Sequence, residues 1–389
     1  MKNNFKDYPL LAEKKKSVSL FYPHIPKNAK KAVSKVLSGR WLGQGPLVDK
    51  FEKIFSKKFC DGVPTIAVGS GTDALHLAFI LADLKKGDEV ICPVFTCTAT
   101  NLPLLYMGIK IKFADADPKT LNINLKSVEK LITKKTKAIV FVNYGGIIAN
   151  LTKLNQIKKK YKIKLIQDAA QSLGAKFKNK SICNYADFTI FSFQAIKHIT
   201  SADGGALIIK NRNLVDKAKR IRWFGIDKKK KLSGIWKNDI KEIGYKYQLN
   251  DLGASILLES IKEFNYIKNH RKKIFLIYKN ILKKNIHVRL LDNTDKNSDS
   301  IMWLATIVSD HKELIQKTLR IKKIETNQVH FRNDQYTIFK KFAKNVTFPN
   351  MNELEKKYLL LPIHTKMSFK QARYIANEIN NIFDNSKYE

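Results

Sequence analysis

The chain of 389 residues predicts an α/β protein with one large, mostly parallel sheet and a smaller α/β region after it. Two observations carry this. Between Phe51 and Lys210, short apolar runs alternate with helix-like segments, the pattern of repeated strand–helix–strand units. Several of those runs are almost continuously hydrophobic, as strands must be when both faces of their sheet are covered.

Taken in order, the expected strands are Glu89–Pro93, Lys110–Ala114, Ala138–Val142, Lys164–Gln167, Phe188–Phe193 and Ala206–Ile209. Helices are expected over Thr72–Leu84, Leu125–Ile132 and Asn150–Tyr161. Right-handed crossovers between parallel strands place a site at one edge of such a sheet. A long amphipathic segment from Asn250 to Leu282 reads as the connection to a second region. There the pattern predicts a strand over Ile301–Val308, a helix over His311–Leu319, a strand over Glu325–His330 and a final helix over Ser368–Phe383. The division expected is a large domain with an N-terminal arm over 1–260 and a small C-terminal domain over 261–389.

Composition narrows the class. No run of 18 uninterrupted apolar residues occurs, so no membrane span is expected. The first 16 residues lack the apolar stretch of a secretory signal. Cys60, Cys92, Cys97 and Cys183 form no CxxC pair and no zinc spacing, so no metal site and a reduced, cytoplasmic setting are expected. The formal charge of +38 comes mostly from scattered lysines. A nucleic-acid binder concentrates Arg and aromatics on one face, so no nucleic-acid partner is expected. The excess charge fits a lysine-biased chain and also attraction of an anionic substrate. The run Lys228–Lys231 reads as a solvated loop.

Three motifs carry chemistry. In Ser192-Phe-Gln-Ala-Ile-Lys197, a lysine is reached directly from a buried strand end. Desolvation there lowers an amine's pKa and makes it a better nucleophile toward an aldehyde. In Ile166-Gln-Asp168-Ala-Ala-Gln171, an acid follows an apolar strand, and a buried carboxylate must be paired. A cationic pyridinium nitrogen would pair it. In Gly69-Ser70-Gly71-Thr72-Asp73, small and hydroxyl residues enter a helix N-terminus, which suits a phosphate. Each has an ordinary reading alone: a loop lysine, a helix-capping acid, a helix start. Their order, with Lys197 placed 29 positions after Asp168, supplies all the handles on pyridoxal 5′-phosphate (PLP).

With these motifs the chain closely resembles the DegT/DnrJ/EryC1/StrS family of sugar aminotransferases, which have the type I PLP aminotransferase fold. The resemblance runs from Ser38-Gly-Arg-Trp41 through Gly45-Pro46 to Leu360-Leu-Pro362-Ile-His364. It implies that Lys197 links to the cofactor's aldehyde carbon and later moves the proton. It implies that Asp168 pairs with the ring nitrogen and that Gln171 lies near the ring hydroxyl. Gly71, Thr72, Asp73 and Ser192 are implied in holding the phosphate. A homodimer is implied, with Lys246 of one chain reaching the phosphate of the other. Cys97 stands where many members have a ring-stacking aromatic, and Phe95 or Tyr144 are candidates to compensate. His330, Arg332, Asn333 and His364 match substrate-side segments, and each His has an equal reading as a structural residue. Trp41 and Gly45-Pro46 are candidates to shape the entrance.

The activity implied moves an amino group from L-glutamate to a nucleotide-diphosphate 4-keto-6-deoxy sugar. A 3-keto sugar and a dehydratase reaction are alternatives. A non-catalytic, basic nucleic-acid-binding or regulatory protein on the same scaffold is an alternative of another class.

Overall fold

A computed structural model of the chain describes residues 17–228 and 239–384. The N-terminal stretch read for a secretory signal and Lys229–Lys231 of the lysine run lie outside the described residues. Lys228 is half-buried, and its amine donates to the Gln44 carbonyl at 3.1 Å, so this end of the run is not a solvated loop.

The core is a seven-stranded sheet: β1 (Thr65–Val68), β2 (Glu89–Pro93), β3 (Lys110–Ala114), β4 (Thr136–Val142), β5 (Lys164–Asp168), β6 (Phe188–Ser192) and β7 (Gly205–Ile209). Their spatial order is β1-β7-β6-β5-β4-β2-β3. β7 runs against β1 and β6, and the other neighbouring pairs are parallel. Alternate residues of each strand enter opposite cores. Val90, Val140, Ile166 and Ile190 face one, while Ile91, Ile139, Leu165 and Phe191 face the other. Burial on both faces explains why these strands read as unbroken apolar runs.

Polar residues start the covering helices. Ser70 caps Gly71–Leu81 by accepting from the Asp73 N–H at 3.0 Å. Asn124, Asn150 and Asn250 do the same for Leu125–Leu131, Leu151–Tyr161 and Asp251–Lys262. A side-chain oxygen here satisfies an N–H that the helix leaves without an internal partner.

The second region is an antiparallel sheet of Arg289–Leu290, Ala305–Val308 and Tyr358–Leu361. The helices Phe264–Leu282, Lys312–Ile321 and Phe369–Asp384 pack around it. Its apolar residues Trp303, Leu304, Ile307 and Ile379 join the core on one face of the large sheet.

Three expectations need correction, and β1 is an element the pattern does not announce. The segment 250–282 is two helices that break at Glu263. The strand expected from Ile301 begins only at Ala305, because the Trp303 and Leu304 N–H groups both donate to Gly145. No strand forms over Glu325–His330; Asn327 makes a single bridge to Leu360. The Asn327 side chain accepts from the Gln328 N–H, and the Gln328 amide donates to the Glu355 carbonyl. Such local side-chain bonds compete with a ladder. No helix among the described residues is long and apolar enough to cross a membrane.

Candidate active site

The C-terminal ends of β1, β2, β4, β5 and β6 open at one edge of the sheet, and the expected cofactor residues lie on the segments leaving them. Asp168 is the last residue of β5 and is buried. Its Oδ1 accepts from the Ala170 N–H at 3.0 Å and its Oδ2 from the Thr100 hydroxyl at 2.8 Å. Thr100 Oγ1 also lies 2.8 Å from Thr96 Oγ1. A hydroxyl has one proton, so Thr96 donates to Thr100 and Thr100 to Asp168. Burial pushes the Asp168 carboxyl up, against the pull of the Ala170 N–H, the Thr100 hydroxyl and the Lys197 charge.

Lys197 lies on the loop between β6 and β7. The loop is held by bonds from Phe193 N to Gly204, from Ser201 N to Phe193 and from Lys197 N to Gln194. The side chain as a whole is half-buried. Desolvation of its amine lowers the pKa to about 8, against the opposing pull of Asp168 and Cys97. The amine rests 3.8 Å from the centre of the Trp303 ring. Cys97 precedes the helix Thr98–Tyr106, half-buried.

Gln171 is fixed at both ends. Its Oε1 accepts from the Gly145 N–H at 2.6 Å, which turns its amide nitrogen to within 3.2 Å of His330 Nε2. Burial lowers His330 to about 3, so the ring is neutral and Nε2 accepts. Phe95 and Tyr144 do not offer a free ring face. Both are fully buried, packed on each other at 5.1 Å, and the Tyr144 hydroxyl donates to the Val329 carbonyl.

The helix beginning at Gly71 abuts the end of β6. A Cβ on Gly71 would lie 3.0 Å from Ser192 Cβ, and one on Gly205 would lie 2.3 Å from the Ser70 carbonyl oxygen. Glycine at these two positions brings the Gly71–Asp73 turn and Ser192 together, and a helix N-terminus with hydroxyls beside it suits a phosphate. Among the described residues no ion pair reaches Asp168. A buried carboxylate held by neutral donors, a desolvated amine and this cradle fit the three ends of PLP.

The remaining predicted residues are each engaged within the chain or lie on its surface. Arg332 is buried. Its guanidinium binds both Asp334 oxygens at 2.8 Å, Asn352 at 2.5 Å and Glu355 at 3.3 Å. Asn333 is buried, donating to the Thr96 carbonyl and accepting from Asn101. His364 Nε2 lies 2.9 Å from the Ser19 carbonyl. In each of the three, polar atoms of the side chain are engaged within the chain. Lys246 is exposed, on a segment bridged to Trp223. Trp41 lines a groove of ≈ 760 Å³ between the helices Ala29–Leu37, Pro46–Phe59 and Asp251–Lys262, which shares no residue with the Lys197 cluster. Thr96, Thr100 and Trp303 were not singled out. Thr96 ends a Pro-x-x-Thr pattern that marks the position of Cys97, but neither threonine signals a bond toward Asp168, and a tryptophan before a strand carries no signal of its own.

The fold and this edge define a PLP-dependent aminotransferase. The chain belongs to the DegT/DnrJ/EryC1/StrS aminotransferase family, whose model matches residues 23–380. It is 29% identical over 366 residues to the UDP-4-amino-4,6-dideoxy-N-acetyl-beta-L-altrosamine transaminase of Campylobacter jejuni, covering 92% of this chain and 95% of that one. To the GDP-perosamine synthase of Escherichia coli O157:H7 it is 27% identical over 373 residues, covering 95% and 99%. Among solved structures it resembles Helicobacter pylori PseC, an aminotransferase involved in the biosynthesis of pseudoaminic acid. The TM-score is 0.86 at 26% identity, over 95% of this chain and 100% of that one.

Proposed function

We propose that this aminotransferase moves the amino group of L-glutamate onto the keto carbon of a nucleotide-diphosphate 4-keto-6-deoxy sugar. The carrying observation is the pair at the sheet edge: a buried carboxylate at the end of β5 and a desolvated amine on the loop after β6. The substrate class is supported by relatives named for nucleotide-linked amino sugars, one of them a UDP-linked 4-amino-4,6-dideoxy sugar.

PLP supplies an electron-withdrawing ring and an aldehyde that carries the amino group from donor to acceptor. Lys197 would hold the cofactor and, when unlinked, would accept and return the substrate proton at its amine. An amine near 8 has both a neutral and a charged fraction close to neutral pH, as proton shuttling requires. Asp168, receiving hydrogen bonds through Thr96 and Thr100, would pair with the ring nitrogen. Gln171 and neutral His330 would serve the ring hydroxyl. Gly71, Thr72, Asp73 and Ser192 would hold the phosphate, with Lys246 of a second copy reaching it in a homodimer. Cys97 would pack on the ring.

The test incubates the PLP-loaded protein with ¹⁵N-glutamate and a panel of UDP-, GDP- and dTDP-linked 4-keto-6-deoxy and 3-keto sugars. The reading requires ¹⁵N in a 4-amino sugar together with 2-oxoglutarate. Label only in a 3-amino sugar, or loss of a hydroxyl without nitrogen gain, overturns it.

A further inference from the structure

Trp303 is fixed at each of its polar atoms. Its indole N–H donates to the Ile196 carbonyl at 2.9 Å, which ties the ring to the residue before Lys197. Its backbone N–H donates to Gly145 at 2.7 Å. Its carbonyl accepts from Arg271 at 2.7 Å, and the Met302 carbonyl accepts from the same guanidinium at 3.1 Å. A Cβ on Gly146 would lie 2.6 Å from the Ile301 carbonyl oxygen, so this turn approaches the Trp303 backbone as closely as glycine permits. Phe21 stacks on the indole at 5.6 Å and 22°, and His330 lies near parallel to it at 6.4 Å. An aromatic face held this firmly cannot swing away from the amine above it.

We propose that Trp303 is a positioning residue for the reaction, its indole face receiving the Lys197 ammonium whenever that amine is released from the cofactor and holding it in the cleft. This rests on the reading of Lys197 as the cofactor-linked amine. The ring quadrupole attracts an ammonium within about 6 Å of its centre, and 3.8 Å lies well inside that range. A lysine side chain, four methylenes long, spans many directions when unlinked, and it carries the rotamer entropy of a long chain. A cationic resting place on one wall reduces that search.

The charged and titratable groups around the pair are Asp168, Cys97, His198, His330 and Arg271. His330 and His198 are both driven down by burial, and His330 titrates at about 3. Neither imidazole therefore changes charge in the alkaline range where the amine does.

The protein carries 4 tryptophans, so full-length protein containing 5-fluorotryptophan gives a ¹⁹F spectrum that Trp303→Phe assigns. Loaded with pyridoxamine phosphate, which leaves Lys197 unlinked, the Trp303 resonance should shift through one transition near the amine's pKa. Lys197→Met should abolish that transition. A Trp303 resonance that stays still from about pH 6.5 to 9.5, or moves equally in Lys197→Met, overturns the proposal. As a second measurement, Trp303→Leu keeps the wall apolar but removes the attraction, so the amine's pKa should fall by about half a unit to one unit. Trp303→Phe, which retains a ring face, should restore most of it. Equal values in the two variants also overturn it. If Trp303→Leu does not fold, the fluorine titration of the native sequence decides. Which lysine binds PLP is read separately, by the loss of the visible absorbance band in Lys197→Met, so failure of that reading is distinguishable.

Discussion

The Thr100 hydroxyl donates to Oδ2 of Asp168 at 2.8 Å, at the head of a relay that begins with Thr96. Asp168 is buried and burial raises its pKa, so each donor to it favours the anion that a protonated ring nitrogen would meet. Thr100→Val removes one such donor. A hydrogen bond to a charged group contributes about 1.5–3 kcal/mol, so PLP affinity should fall roughly ten- to a hundredfold. Asp168→Asn removes the charge itself, and the loss should be larger. Titrating the visible absorbance of each apo-protein with PLP measures both.

The Lys197 amine, held down at about 8 by desolvation, sets a pH window. Only the neutral amine attacks an aldehyde. The rate at which apo-protein captures PLP should therefore rise about tenfold between pH 7 and 9 and then level. The stability of the apo-protein moves the same way. Between about 8 and the ordinary lysine value of 10.5, the unfolded chain binds the proton and the folded one does not, so stability rises with pH there. Stopped-flow capture rates and urea melts at matched pH check the two parts. A capture rate still climbing as steeply between pH 9 and 10 contradicts the lowered amine.

The parallel strands were legible because burial on both faces leaves a run such as Glu89–Pro93 no polar alternation. Asp168, Lys197 and the Gly71–Asp73 turn were legible because strand ends bring them to one edge. β1 escaped notice because Thr65–Val68 is four residues long and runs straight into a glycine-rich turn. The break at Glu263 was hidden because apolar positions continue on both sides of it. The type of Arg332 suits phosphate, while its partners Asn352 and Glu355 are brought to it only by folding and carry no signal in the sequence. Trp303 could not be found at all. Its importance lies in the ring's distance from Lys197, and the two are more than a hundred positions apart in the chain.

Arg332 should behave as part of the frame. Arg332→Met leaves Asp334 and Glu355 without their cation, and losing hydrogen bonds to a partly buried charged group costs about 1.5–3 kcal/mol. The variant should lose that much in a urea melt. The KM for sugar, measured on the folded fraction at low temperature, should be unchanged. A KM rise with unaltered stability would return Arg332 to the substrate.

Asp251 accepts from the Gly45, Leu47 and Val48 N–H groups at 2.9, 3.1 and 3.0 Å, and so caps the helix Pro46–Phe59 from another element. Asp251→Ala should cost about 2 kcal/mol, the upper end for a lost cap. Gly45→Ala should also destabilise, because its Cβ would meet Asp251 Oδ2 at 2.7 Å. Denaturant midpoints of both variants test this.

Whether Lys197 is the residue that joins the cofactor can be read by borohydride reduction. Reducing the PLP-loaded protein makes the link permanent, and peptide mass spectrometry then identifies the lysine that carries the pyridoxyl group. The pyridoxyl group should appear on the peptide containing Lys197 and be absent in Lys197→Met. A label on any other lysine, or an equal label in that variant, contradicts it.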